Sequence, residues 1–410
     1  MYEKDTLLFA SHGRSNYRIP SIVAGADGTV YAFCNDRKDS LDDHAEKVAL
    51  VCSIKRAGSD EWSDIRTIVG VEGWSCMIGS AVYDTPTGTV LCSFRREPIA
   101  RNEFGSYTEK ELAELEAEAE QRARSLGITR GTFSVSSSDG GETWTEREFI
   151  VREREFTRPT DGVVVSIGGS CHGSAHGIEL RHGEHAGRLL CPSRVAVARY
   201  DTWAGLRTCS YNNSVYSDDH GRTWTASAPV QAGTGEGTLI ERGDGTILYN
   251  SRAYFGDRKR YLATSTDGGE TYGDFRTDDF LLEERSLGCN ASFLRVEREE
   301  LPEADRALLP EGCGSVTVFV SPRSERRDTL TACVSFDEGT SWSKTKLLRL
   351  EACAYSSLDY SAAVGRFYLL YECGDENPYS HGIALREFDL SYLLGAAEPP
   401  SMNRRTCSLD

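Results

Sequence analysis

The sequence predicts an all-β chain, a six-bladed β-propeller of four-stranded antiparallel blades with one helical insertion, and three observations predict it. The pattern SxDxGxTW recurs four times with small variations, at residues 137–144, 217–224, 265–272 and 335–342, and such self-similarity marks a repeat architecture. Each copy follows a short β-rich run such as Thr132-Phe133-Ser134-Val135. Asp and Gly then fall where a hairpin must turn, and the aromatic falls where the next strand returns to the core. The composition of 39% hydrophobic residues, with 39 glycines against 12 prolines, suits a folded chain rich in tight turns.

Taken in order, strand-like sequence begins at Thr6-Leu7-Leu8-Phe9, and a degenerate fifth copy of the repeat surrounds Arg56-Ala57-Gly58-Ser59-Asp60-Glu61-Trp62. The apolar run Phe367-Tyr368-Leu369-Leu370-Tyr371 supplies the last strands. Six blades fit the length, so residues 1–395 are expected to form one propeller domain and residues 396–410 a tail. One segment breaks the β rhythm. Leu112, Leu115, Ala119, Ala123 and Leu126 stand at helical spacing, Thr108 and Glu111 read as a capping box, and Gly127 reads as a stop. This insertion, about 104–127, joins the second and third strands of a blade, and alternate loops of a meander lie on opposite faces. It is therefore expected on the face away from the SxDxGxTW turns.

The net charge of −17 argues against nucleic-acid binding or attachment to an anionic membrane, which need a surplus of Lys and Arg along one face. An anionic substrate would need a local cationic site. None of the 13 cysteines forms a CxxC pair, and most lie in apolar runs, so buried free thiols are expected. No run reaches the ~18 apolar residues of a membrane span, and no charged, apolar leader precedes the first strand. As written the chain reads as cytoplasmic, with secretion open if a signal peptide was removed.

Several motifs carry chemistry. Tyr17-Arg18-Ile19-Pro20 is followed by Asp36-Arg37 and then Asp42-Asp43-His44-Ala45-Glu46. Gly235-Glu236-Gly237 is followed by Asn250-Ser251-Arg252, Glu325-Arg326-Arg327-Asp328 precedes the last repeat, and Ala354-Tyr355-Ser356-Ser357-Leu358 precedes Leu370-Tyr371-Glu372. In this order and spacing they resemble the exo-α-sialidase (neuraminidase) family, whose Asp boxes (BNR repeats) the SxDxGxTW copies also resemble. The resemblance runs from Arg18 to Glu372. It also takes in Gly177-Ile178-Glu179-Leu180 and Gly187-Arg188-Leu189-Leu190, and departs from the family in the helical insertion and the drifted first box.

The resemblance implies a retaining glycoside hydrolase acting on terminal α-linked sialic acids. It makes Tyr355 the nucleophile, Glu236 its base and Asp42 the acid/base, with Asp42 preferred to Asp43 by spacing. Arg18, Arg252 and Arg327 would grip the substrate carboxylate, Arg327 being preferred to Arg326 by its distance to the last box. Arg37 joins the substrate-binding set, and Glu372 would orient Arg18. The chemistry suits these residue types. Guanidinium groups bind carboxylates in a planar fork, each charge-assisted bond contributing about 1.5–3 kcal/mol. The same carboxylate would repel an anionic nucleophile, and a neutral tyrosine avoids that. With a reference pKa of about 10 it needs a base.

The alternatives are a propeller glycosidase for a related nonulosonic acid, such as KDN or a Kdo-like sugar, and a noncatalytic sialoglycan-binding propeller. His172, His176, His182 and His185 invite a metal reading, but glycines at 173, 177 and 183 deny a helix that would align the first two, and no carboxylate cluster completes a shell. No cofactor and no metal are expected. The partner is a sialylated glycan or similar glycoside, with no nucleic acid and no membrane insertion, and the oligomeric state is not readable. The insertion is expected to form part of the active-site rim and to limit glycan size.

Overall fold

The computed structural model describes residues 1–41, 47–71, 74–98, 108–169, 176–198 and 202–395. Most of its strands form six antiparallel blades of four strands, and the two-residue strand Val151–Arg152 adds a parallel edge to the third of them. Blade 1 holds Ser15–Ala24, Val30–Lys38, Val48–Lys55 and Arg66–Val69. Blade 2 holds Trp74–Asp84, Thr89–Pro98, Gly131–Ser137 and Thr145–Glu148. Blade 3 holds Ile178–Glu179, Leu189–Ala196, Ser210–Ser217 and Trp224–Ala226. Blade 4 holds Thr234–Glu241, Ile247–Ala253, Lys259–Ser265 and Gly273–Leu282.

The last two blades share a strand. In Lys344–Ser361, residues 344–352 pair with Asp328–Ser335 as the outer edge of blade 5, whose other strands are Ser292–Glu297 and Ser315–Pro322. Residues 353–361 pair with Arg366–Cys373 as the innermost strand of blade 6. Gly382–Phe388 and the N-terminal Glu3–Ala10 complete blade 6, so both ends of the chain build it. Innermost strands touch in sequence from blade 1 to blade 6, and residues 353–361 lie against Ser15–Ala24 of blade 1. Apolar side chains fill the spaces between blades: Phe33, Leu50 and Cys52 of blade 1 pack with Ile78, Val90 and Phe94 of blade 2. Each such large side chain contributes about 1.5–3 kcal/mol by leaving water.

All four repeats are turns between the third and fourth strands of blades 2 to 5. In the first, Ser137 Oγ donates to Asp139 at 2.7 Å and accepts from the Gly141 amide at 2.8 Å. Asp139 accepts from the Glu142 amide at 3.0 Å and the Thr143 hydroxyl at 2.5 Å. The bonds recur around Asp219 and Asp267, and Ser341 takes the threonine's place at Asp337. The aromatic of each box returns to the core, as with Trp224 stacked on Phe149 at 4.9 Å. In the degenerate copy, Trp62 Nε1 donates to Glu387 at 3.2 Å and ties blade 1 to blade 6.

The insertion is a helix, Glu109–Leu126, capped by Thr108 and Glu111 through both bonds of a capping box, with Gly127 in the left-handed conformation at φ 66°. Ala123 is buried, the helix rests on strand Thr89–Pro98, and Leu126 is exposed although it belongs to the apolar spacing. The first residues of the expected insertion, 104–107, lie outside the described ones. The hairpin Arg154–Thr157 with Val164–Ile167 had no expectation, nor had the short helices Trp203–Cys209, Glu303–Arg306 and Leu390–Leu394. The eleven described cysteines are all free, and only Cys209 among them is not buried. Among the described residues no helix is long and apolar enough to cross a membrane. His176 is buried and His182 Nε2 lies 3.1 Å from Glu297, while His172 lies outside the described residues.

Candidate active site

Strand direction brings the candidate residues to one end of the ring. Arg18, Glu236 and Tyr355 stand near the starts of innermost strands, Arg252 and Glu372 near the ends of second strands, and Arg327 just before a third. In a meander these are the same end, opposite the Asp boxes. The helix Glu109–Leu126, which joins a second strand to a third, is at this end too.

The backbone breaks its register where the site begins. Pairing slips between Arg18 and Ser21, between Thr234 and Gly237, and between Cys353 and Ser356. Bulges of this kind re-aim side chains, and here they redirect Arg18, Glu236 and Tyr355. Pro20 offers no amide to the ladder, and Ile19 sits at φ 62°, costly for a β-branched residue. That conformation delivers the Ile19 amide to Glu372 Oε1 at 2.9 Å. The glycines beside Glu236 are equally constrained. A Cβ on Gly235 would lie 1.6 Å from the Tyr254 hydroxyl, and one on Gly237 would lie 2.3 Å from the Tyr249 ring.

Tyr355 is the centre of the constellation. Its hydroxyl donates to Glu236 Oε1 at 2.8 Å and accepts from Arg252 Nη1 at 2.6 Å. Arg252 also pairs with Glu236 Oε2. The Arg18, Arg252 and Arg327 guanidinium carbons lie 5.9, 5.7 and 5.5 Å from the centre of the Tyr355 ring. Glu372 lies fully buried behind it, accepting from Arg18 Nε at 2.7 Å on one oxygen and from the Tyr355 amide at 3.2 Å on the other. One carboxylate thus fixes both the arginine and the tyrosine.

Burial dominates the electrostatics. It pushes the Tyr355 phenol well above its ordinary value; Arg252 pulls the other way and Glu236 adds to the rise. The resting hydroxyl is neutral. Burial alone would lower the Arg252 guanidinium, but Glu236 and then Tyr355 hold it well above its ordinary value.

Of the remaining expected residues, Arg37 has no exposed surface and donates to the Leu41 carbonyl at 3.0 Å, which Arg18 Nη1 also approaches at 3.4 Å. Asp42 and Asp43, which follow that carbonyl, lie outside the described residues. The Arg327 guanidinium lies beside the Tyr355 ring, and Arg326 is exposed. Sequence reasoning missed Tyr379. Its ring lies 3.7 Å from the Arg18 guanidinium and its hydroxyl accepts from Arg327 Nη1 at 2.6 Å. The one sequence signal for it was an aromatic in a short polar loop seven residues after Glu372.

The BNR repeat-like domain family matches residues 28–369. A sialidase of Micromonospora viridifaciens is 28% identical over 97% of this chain, which spans 55% of that protein. Human sialidase-4 is 28% identical over 76% of the chain, which spans 56% of it. The chain therefore covers about half the length of these curated relatives. Among solved structures, the Hadza microbial sialidase Hz136 superposes with a TM-score of 0.68 at 20% identity, over 92% of this chain and 66% of its own, a likeness of fold. The chain belongs to the BNR repeat-like domain family, and the relatives it resembles are sialidases.

Proposed function

We propose that the chain is an exo-α-sialidase, a retaining glycoside hydrolase that releases terminal α-linked sialic acids from glycoconjugates. The observation that carries the reading is the Tyr355 hydroxyl, 2.8 Å from Glu236, with three guanidinium groups around its ring. A sugar with a carboxylate on its anomeric carbon, gripped by Arg18, Arg252 and Arg327, would present that carbon to the phenolic oxygen.

In the first step the Tyr355 oxygen bonds to the anomeric carbon and the glycosidic C–O bond breaks. Glu236 takes the phenolic proton, and Asp42 gives a proton to the departing oxygen. In the second, Asp42 takes a proton from water, the water oxygen bonds to the anomeric carbon, the tyrosyl C–O bond breaks, and Glu236 returns its proton to Tyr355. Two inversions give retention. Because burial raises the phenol, proton removal must accompany attack, and the Arg252 bond stabilises the developing phenolate. Glu372 and Tyr379 hold Arg18, and Arg37 fixes the backbone leading to Asp42.

The test is release of 4-methylumbelliferone from its α-N-acetylneuraminic acid conjugate by wild type, Tyr355→Phe and Asp42→Ala. Activity that falls by orders of magnitude in Tyr355→Phe supports the reading. A folded wild type with no activity would overturn it and favour a related nonulosonic acid or a noncatalytic sialoglycan-binding propeller.

A further inference from the structure

The chain between blades 4 and 5 turns three successive backbone carbonyls toward three arginines. Leu287 O accepts from Arg252 Nε at 2.8 Å, Gly288 O from Arg327 Nη2 at 3.1 Å, and Cys289 O from Arg260 Nη1 at 2.9 Å. Two of these arginines reach Tyr355. The third, Arg260, does not; it lies on the third strand of blade 4 with no exposed surface.

Arg260 is held on every side. Nε donates to Asn250 Oδ1 at 2.6 Å, Nη2 to the Asn250 carbonyl at 3.2 Å, and Nη1 pairs with Glu283. Its guanidinium lies 5.4 Å from the centre of the Phe319 ring of blade 5. Glu283, itself buried, presses on the same crossing: a Cβ on Gly288, which sits at φ 66°, would come within 2.2 Å of its carboxylate. Glu284 then closes the turn, accepting from the Ser286 amide at 2.8 Å and the Leu287 amide at 3.2 Å. A buried ion pair is poor evidence for stability, because desolvation offsets its attraction, and its best-attested use is to fix one arrangement. Here the arrangement is the carbonyl row that two site arginines bond to.

We propose that Arg260, with Glu283, is a positioning residue: it fixes the 287–289 carbonyl row and through it aims Arg252 and Arg327 at the substrate carboxylate. The inference rests on the sialidase reading for its ligand, but not for its geometry. Arg260 touches no reacting atom. A planar guanidinium that donates to Asn250, Glu283 and Cys289 at once has no equivalent in lysine, whose ammonium is a point donor.

The test is the double variant Arg260→Met with Glu283→Leu, which removes both charges together so that neither is left buried alone. Its control is Lys55→Met with Glu387→Leu, a buried pair in blades 1 and 6. Two readouts apply: crystal structures, and the Kd for 2-deoxy-2,3-didehydro-N-acetylneuraminic acid by titration calorimetry. The expected result is displacement of the Arg252 and Arg327 guanidiniums by about 1 Å or more and a Kd at least tenfold weaker, with the control unchanged in both. Unmoved arginines in the folded double variant, or an equal loss in the control, would overturn the proposal. If wild type binds no such ligand, the functional reading fails, and the displacement alone decides the positioning role. If the double variant does not fold, Arg260→Lys takes its place: unchanged arginine positions and Kd contradict the proposal, and shifted ones support it.

Discussion

Glu372 accepts from Arg18 with one carboxylate oxygen, at 2.7 Å, and from the backbone amide of Tyr355 with the other, at 3.2 Å. A single buried group thereby sets the spacing between an arginine of blade 1 and a tyrosine of blade 6. Glu372→Gln keeps the shape and removes the charge opposite Arg18. Breaking a buried pair in this way costs about 3–5 kcal/mol. The expected outcome is a lower melting temperature together with a KM raised about tenfold or more, read by calorimetry and steady-state kinetics. A variant with wild-type KM would mean that the Glu372 charge is not what orients Arg18.

Gly235→Ala is expected to abolish most activity without unfolding the protein. The added Cβ would occupy the place of the Tyr254 hydroxyl, so the Tyr254 ring or the bulge carrying Glu236 must shift, and loss of a positioned base there would cost about 10²–10⁴-fold in rate. Turnover measurements with circular dichroism check this; a folded, fully active variant would contradict it.

Tyr379 offers two separable contacts. Tyr379→Phe keeps the ring under Arg18 and removes the hydroxyl that accepts from Arg327, whereas Tyr379→Ala removes both. A desolvated cation–π contact contributes about 2 kcal/mol, so Tyr379→Ala should raise KM by at least tenfold more than Tyr379→Phe does. Equal effects would assign the role to the hydroxyl alone.

The Asp boxes predict how stability depends on pH. A hydrogen bond from the Thr143 hydroxyl, then one from Ser137, holds the Asp139 carboxyl well below its ordinary value. At Asp219, Asp267 and Asp337 burial pushes upward, but the hydroxyl bonds from Thr223, Thr271 and Ser341 and their neighbours outweigh it. A carboxyl whose folded pKa is depressed stabilises the fold above its unfolded value of about 3.9 and loses that contribution as pH falls toward the folded one. Urea midpoints should therefore fall below about pH 4, and Asp267→Asn should flatten that fall while lowering stability at pH 7. An unchanged slope would show that the box carboxylates are not responsible.

The helix Glu109–Leu126 connects a second strand to a third, at the end of the ring that holds Tyr355. Replacing residues 104–127 by a short linker is expected to change KM for large sialylated glycans more than for a small aryl sialoside. Identical shifts on both would rule out a rim role.

Much of this was legible in the sequence because it is local. The Asp-box turn closes within eight residues, so its Ser, Asp and Gly announce it, and Thr108, Glu111 and Gly127 mark the helix ends by the groups they cap. Bulges and long-range partners are different. Nothing near Tyr379 encodes its contact with Arg18, because blades 1, 5 and 6 supply the parts. Arg260 reads in sequence as one more charged strand residue until the 287–289 crossing is folded against it. The N-terminal strand likewise gives no sign of pairing with Gly382–Phe388, since register between the chain's two ends is a property of the ring.

Tyr355, activated by Glu236, is proposed as the nucleophile of a two-step displacement. The most direct measurement is the configuration of the first-formed sugar, followed by proton NMR as wild type consumes an α-sialoside. The α-anomer is expected to appear first and then to mutarotate; first appearance of the β-anomer would mean single displacement by water and would contradict a tyrosyl intermediate.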